Sequence, residues 1–127
     1  LEIGTGTGYQ TAILSHLCKE VCTVEIHSKL LNEAKKKIAK LNLKNVIFKL
    51  GNGIEGWKNK VLFDAIIVSA ASETIPTKLL DNLKNQGSLI MPQKKTLENQ
   101  KLLLVKKSNE TIIKRELLNV KFVPLIS

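Results

Sequence analysis

From Leu1 to Met91 the chain alternates short, mostly apolar runs of strand length with stretches whose apolar residues recur at helical spacing. Strands separated by helices do not pair as hairpins. They form a parallel sheet with its crossover helices on both faces, joined by right-handed connections. Leu1–Ile3 runs into Gly4-Thr5-Gly6-Thr7-Gly8, after which Tyr9, Ala12, Ile13, His16 and Leu17 share one face of a helix. Val21–Ile26 reads as a buried strand. Ser28 suits the N-cap of the next helix, whose apolar stripe is Leu30, Leu31, Ala34, Ile38 and Leu41. Its lysines gather toward the C-terminal half, where the helix dipole favours cations.

Asn45–Leu50 and Phe63–Val68 supply a third and a fourth strand. Pro76 suits the first turn of a helix carrying Ile75, Leu79, Leu80 and Leu83, with Gly87 just past its end, and Leu89–Met91 forms a fifth strand. From Lys101 onward helical spacing stops. Leu102–Val105, Thr111–Ile113 and Leu117–Val123 are strand-like and suggest an antiparallel pair at one edge. The expectation is a single α/β domain over residues 1–127, a Rossmann-like, doubly wound, mostly parallel sheet with an antiparallel C-terminal edge. In such sheets ligands bind beyond the carboxyl ends of the strands, where the topology reverses. Gly4–Gly8, Glu25 and Gly51–Gly53 all fall at strand ends on that side.

The chain starts at Leu1 without an initiator Met, and its first residues read as the end of a strand whose beginning lies upstream. Shortening a central strand leaves backbone groups unpaired, so the 127 residues alone are expected to be marginally stable. No positive leader or long apolar stretch marks a signal peptide. No apolar run approaches the roughly 18 residues that span a bilayer, which argues against a membrane protein. The net charge of +9 comes almost wholly from lysine, with Arg115 the single arginine. The lysines are scattered and do not cluster beside stacking aromatics, so a nucleic-acid partner is not expected. Cys18 and Cys22 lack a second ligand pair at metal-site spacing; buried, reduced core thiols in a cytoplasmic protein fit them better than a metal site.

The Gly4-x-Gly6-x-Gly8 loop lets the backbone turn sharply and approach a ligand closely. A dinucleotide loop would need a glycine where Tyr9 stands, so that a pyrophosphate could rest on the helix N-terminus. The spacing therefore favours S-adenosyl-L-methionine, which carries no phosphate. Glu25 follows the first glycine by about twenty residues and ends the second strand, where a carboxylate can accept from both ribose hydroxyls. Glu2, just before the loop, is a candidate for holding the cofactor's methionyl part.

The run Leu1-Glu2-Ile3-Gly4-Thr5-Gly6-Thr7-Gly8-Tyr9-Gln10-Thr11-Ala12 resembles the first cofactor motif of the protein-L-isoaspartate O-methyltransferases. Three further stretches are similar in the same order: Gly51-Asn52-Gly53 with Gly56-Trp57, Phe63–Ala71, and Val120–Leu125. The resemblance implies the class I methyltransferase fold, S-adenosyl-L-methionine as cofactor, and Glu2, Gly4, Gly6, Gly8, Glu25, Asn52 and Gly53 as cofactor-binding residues. Asn52 stands where the family usually has an aspartate expected to bond the adenine amino group. Lys121 replaces a usual arginine, and the glycine that commonly follows Pro92 is missing. The family's substrate-side Ser or Thr precedes the first motif, so no catalytic residue is assigned within these residues. Ser69 and Ser72 are hydroxyls near the substrate edge, read here as strand-end and turn residues.

The activity implied is methylation of the free α-carboxylate of isoaspartyl residues in damaged proteins, by a monomeric cytoplasmic enzyme. An ionised carboxylate needs no strong general base, in keeping with the lack of a His or Cys-His constellation. The alternatives are a methyltransferase acting on RNA or a small molecule, and a non-catalytic cofactor-binding fragment. Ser69-Ala70-Ala71-Ser72 stands where methyltransferases of base amino groups carry an Asn/Asp-Pro-Pro-aromatic motif, and this counts against nucleic acid.

Overall fold

A computed structural model describes residues 1–58, 60–96 and 99–127. The chain runs β1 (Glu2–Ile3), α1 (Tyr9–Leu17), β2 (Val21–Glu25), α2 (Ser28–Lys40), β3 (Val46–Leu50), a 3₁₀ turn (Gly53–Glu55), β4 (Phe63–Val68), α3 (Thr77–Asp81), β5 (Leu83–Lys94), β6 (Gln100–Ser108) and β7 (Thr111–Val120). These strands form one sheet in the order β3-β2-β1-β4-β5-β6-β7. The first five pair in parallel, and β6 and β7 close the edge antiparallel, giving the α/β fold class expected from the sequence.

The chain steps outward from β1 to β2 to β3 and then returns to the other side of β1 as β4. The topology thus reverses between β1 and β4, and their carboxyl ends flank a crevice. Right-handed crossovers place α1 and α2 on one face of the sheet and α3 on the other. The core is built from Ile3, Val24, Ile66, Val68, Leu79, Leu83, Leu89, Met91, Leu103 and Val105. Leu31, Ala34 and Ile38 bury the stripe of α2.

Helix α1 reverses the expected facing. Its buried residues are Thr11 and Ser15, whereas Tyr9 and Leu17 are 77% and 76% exposed and Ile13 is also exposed. The cause lies beneath the helix, where β1 and β2 present Glu2 and Thr23, both buried. A buried carboxylate needs donors, and Thr11 supplies one. Ser15 Oγ donates to Asn45 Oδ1 at 2.5 Å, and Asn45 Nδ2 donates back to Ser15 O at 2.8 Å. Polar satisfaction outweighs the hydrophobic stripe here.

Four boundaries also differ from the sequence reading. His27 is the N-cap of α2, so Ser28 is the first helical residue rather than the cap. Helix α3 is only five residues long and ends before Leu83, which enters β5 to pair with Phe63. Gly87 sits inside β5 rather than past a helix end; beside Gln86 (φ +64°) it makes a tight kink, where a Cβ would fall 2.8 Å from Lys84 O. Thr111–Ile113 and the first part of Leu117–Val123 merge into the one strand β7, which ends at Val120. The chain then leaves the sheet and crosses to β4's carboxyl end. There Ala71 N donates to Val123 O and Leu125 N donates to Ala71 O, each at 2.8 Å.

Candidate active site

The loop after β1 takes a left-handed backbone at each of its glycines, with φ of +94° at Gly4, +53° at Gly6 and +82° at Gly8. Side chains rarely adopt such angles, so the motif is a conformational requirement. Gly8 has a packing role too, since a Cβ there would come within 3.1 Å of Ala34 Cβ on α2. At Gly6 a Cβ would meet no protein atom within 4 Å, because this residue faces open space.

Glu25 closes β2 with its carboxylate already oriented. Gly6 N donates to Oε2 at 2.8 Å and His27 N donates to Oε1 at 3.0 Å. Each oxygen keeps acceptor capacity for a second donor. The loop and the acidic residue, separated in sequence, are thus one hydrogen-bonded unit.

Glu2 is fully buried behind the loop. Thr11 Oγ1 and Thr23 Oγ1 donate to Oε2 at 2.5 and 2.6 Å, and Gln10 Nε2 donates to Oε1 at 3.0 Å. Thr23 spends its hydroxyl hydrogen on Glu2, so in the 2.6 Å contact between Thr5 Oγ1 and Thr23 Oγ1 the donor is Thr5. A directed chain therefore runs from Thr5 in the loop through Thr23 to Glu2, and it ties the loop, α1 and β2 to one buried carboxylate.

At the reversal point lies a cavity of about 490 Å³. Gly4 and Gly6 line it from the loop, Glu25, Ile26 and His27 from the end of β2, and Gly53 from the 3₁₀ turn. Ser69 and Ala70 line it from the end of β4, and Val123–Ile126 from the C-terminal segment. The volume suits a small-molecule or cofactor pocket. Of the residues named from the sequence, Gly4, Gly6, Glu25 and Gly53 meet on this wall. Glu2, Gly8 and Asn52 are not among the residues that line it. Asn52 Oδ1 accepts from Ile54 N at 2.9 Å and caps the 3₁₀ turn. Gly53 presses against the core, where a Cβ would lie 2.3 Å from Ile3 Cγ2.

Sequence reading gave no site role to the C-terminal segment, Ser69 or the threonines around Glu2. The signal for Thr23 was present, a polar residue inside a buried strand, whereas Thr11 gave none, because the apolar stripe of its helix turns it the other way. Both cysteines are free thiols; Cys22 is buried as expected, but Cys18 is exposed, because it caps the end of α1 outside the core. Among the described residues, no group of three or more His, Cys, Asp or Glu side chains is placed to hold a metal.

A Gly-rich loop after β1, an acidic residue ending β2 and a crevice at the reversal of this sheet order define a class I methyltransferase fold. The chain belongs to the protein-L-isoaspartate(D-aspartate) O-methyltransferase (PCMT) family, whose model matches residues 1–127. A protein-L-isoaspartate O-methyltransferase of Parvibaculum lavamentivorans is 43% identical over 128 residues, covering 99% of this chain and 58% of the relative. A solved protein-L-isoaspartate O-methyltransferase superposes with a TM-score of 0.91 at 30% identity, covering 99% of this chain and 41% of its own. A Plasmodium falciparum protein described as a protein-L-isoaspartate O-methyltransferase, solved with S-adenosyl-L-homocysteine, superposes at 0.83 with 30% identity, over 98% of this chain and 64% of its own. The chain spans 58% to 60% of the length of the first curated relatives that it matches.

Proposed function

We propose that the protein binds S-adenosyl-L-methionine in this cavity and transfers a methyl group to the free α-carboxylate of L-isoaspartyl residues in damaged proteins. The observation that carries the reading is the Gly6–Glu25 unit on the cavity wall, a carboxylate fixed by two backbone N–H groups beside glycine backbone open to the cavity. It fits a ribose bearing two hydroxyl donors. Family membership supports the acceptor, and the Plasmodium falciparum relative solved with S-adenosyl-L-homocysteine supports the cofactor.

When bound, S-adenosyl-L-methionine would supply an electrophilic methyl group on a sulfonium. Glu25 would take the ribose hydroxyls, and Gly4 and Gly6 would allow close backbone approach. Gly53 and Asn52 would hold the adenine end, where Asn52 Oδ1 keeps one lone pair beyond its bond to Ile54 N. Gly8 sets the packing of α1 on α2, and Glu2 holds the loop from behind. Ile3, Val24, Leu30 and Ala70 give the cavity apolar walls. An isoaspartyl α-carboxylate, with a pKa near about 3.5, arrives ionised, so positioning and not proton transfer is what the protein must provide.

The reading includes a monomeric, cytoplasmic enzyme acting on isoaspartyl proteins and not on nucleic acid. Free thiols at Cys18 and Cys22 support a reducing compartment. No helix among the described residues is long and apolar enough to cross a membrane.

The test is transfer of labelled methyl from S-adenosyl-L-methionine to an isoaspartyl peptide, with its aspartyl twin as control. Base-labile label on the isoaspartyl peptide alone is the expected result. Cofactor binding with no label on either peptide would move the acceptor to another class of molecule.

A further inference from the structure

Ser69 follows the last residue of β4 and lines the cavity. Its backbone N–H donates to Ile3 O at 2.9 Å, and a Cβ on Gly4 would lie 3.6 Å from its own, so it is anchored beside the Gly-rich loop. Gln10 Nε2 donates to Ser69 Oγ at 2.9 Å and to Glu2 Oε1 at 3.0 Å. Glu2 already accepts from two threonines and offers acceptors only, so the end of Gln10 facing it must be the nitrogen. Its second hydrogen then goes to Ser69, whose oxygen acts as an acceptor toward α1. Among the described hydrogen bonds the Ser69 hydroxyl has no acceptor of its own, and it stands on the cavity wall.

Glu25 and Ser69 end strands on either side of β1, two strand spacings or about 10 Å apart. A ribose at Glu25 leaves the Ser69 end for the amino-acid part of the cofactor or for the incoming acceptor. Both carry a carboxylate, and a hydroxyl with its own lone pair already engaged is a donor.

We infer that Ser69 donates a hydrogen bond to a ligand carboxylate at the β4 side of the cavity, with Glu2 and Gln10 as positioning residues that fix the direction of its O–H. The inference rests on the cofactor reading above and adds to it a residue and a ligand group.

The test is calorimetric titration of S-adenosyl-L-homocysteine and of 5′-methylthioadenosine, which lacks the amino-acid part, into wild type, Ser69→Ala, Ser69→Thr and Gln10→Leu. An isoaspartyl peptide is titrated separately with S-adenosyl-L-homocysteine saturating. If the carboxylate is the cofactor's, Ser69→Ala weakens S-adenosyl-L-homocysteine by about tenfold and leaves 5′-methylthioadenosine unchanged, as expected for a lost bond to a charged group. If it is the acceptor's, both nucleosides bind as before and the peptide weakens by a similar factor. In either case Ser69→Thr restores affinity, and Gln10→Leu copies the selectivity of Ser69→Ala, which a general loosening of the fold would not. Equal weakening of both nucleosides, or no change in any ligand, overturns the inference. Wild type that binds neither nucleoside would instead overturn the cofactor reading itself, and this inference with it.

Discussion

Glu2 and Thr23 face each other across β1 and β2, and Thr23 Oγ1 donates to Glu2 Oε2 at 2.6 Å. This pair is the root of the polar network under the Gly-rich loop, because Thr5, Thr11 and Gln10 all reach it. Glu2→Ala would take the acceptor from Thr11, Thr23 and Gln10. A loss of roughly 3 kcal/mol is expected, since each orphaned donor costs about 1–3 kcal/mol and partial rearrangement recovers some of it. Urea unfolding checks the figure. A variant as stable as wild type would show that the network is incidental.

Asn82 does comparable work on the other face of the sheet. Its Oδ1 accepts from Trp57 N at 2.9 Å, its Nδ2 donates to Val61 O at 2.8 Å, and its backbone O accepts from Phe63 N at 2.8 Å. It thereby fastens the segment entering β4 to the end of α3. Asn82→Ala is expected to cost about 2 kcal/mol. Asn82→Asp keeps the acceptor for Trp57 but presents an oxygen to Val61 O, so it should recover only part of that loss. Thermal unfolding of the two variants side by side decides the order.

Much of the architecture was legible because strand and helix periods alternate cleanly from Leu1 to Met91, and Gly4, Gly6 and Glu25 were legible as a unit because loop spacing and strand ends coincide. The facing of α1 was not, since periodicity sees the stripe Tyr9-Ile13-Leu17 but not the buried carboxylate that draws Thr11 inward. The end of α3 was hidden for a related reason: Leu83 is equally apolar in a helix or a strand, and pairing with Phe63 decides the matter. The C-terminal wall of the cavity depends on the bond pair between Ala71 and the Val123–Leu125 segment, a contact between residues distant in sequence.

Gly53 combines the demands of core and site. A Cβ at this position would lie 2.3 Å from Ile3 Cγ2, and Ile3 is 2% exposed in the middle of the core. Gly53→Ala must therefore push the 3₁₀ turn or β1 aside. Overpacking of this kind costs about 1–3 kcal/mol. Because Gly53 also lines the cavity, the variant should bind S-adenosyl-L-homocysteine more weakly. Calorimetric titration below the melting range reads that loss, and full retention of affinity would place the ligand away from the 3₁₀ turn.

The two thiols should react at very different rates. Burial pushes the Cys22 thiol above its ordinary value, whereas Cys18 is exposed at the end of α1. The thiolate is the reactive form, so Cys22 is disfavoured both by access and by ionisation. A disulfide reagent at neutral pH is expected to modify one thiol rapidly in native protein and the second only on unfolding. Peptide mapping should place the fast label on Cys18; fast labelling of Cys22 would mean that β2 opens readily.

Two surface pairs set an acid limit that depends on salt. The Lys84 ammonium, 2.9 Å from Asp64, and the Lys95 ammonium, 2.8 Å from Glu116, hold both carboxyls below their ordinary values. Each carboxyl is a stronger acid in the folded chain than in the unfolded one. The stability it contributes is therefore present above the ordinary carboxyl range, from about pH 4 to 5 upward, and is lost as the pH falls through the lowered folded value. Both pairs are open to solvent, so the effect is small and screened by salt. At low ionic strength, wild type should melt slightly above a Lys84→Met, Lys95→Met double variant at pH 7, and the gap should shrink as the pH falls below the ordinary carboxyl range and vanish in molar salt, where the Debye length is about 3 Å. A gap that survived both conditions would have to come from packing of the lysine stems instead of charge.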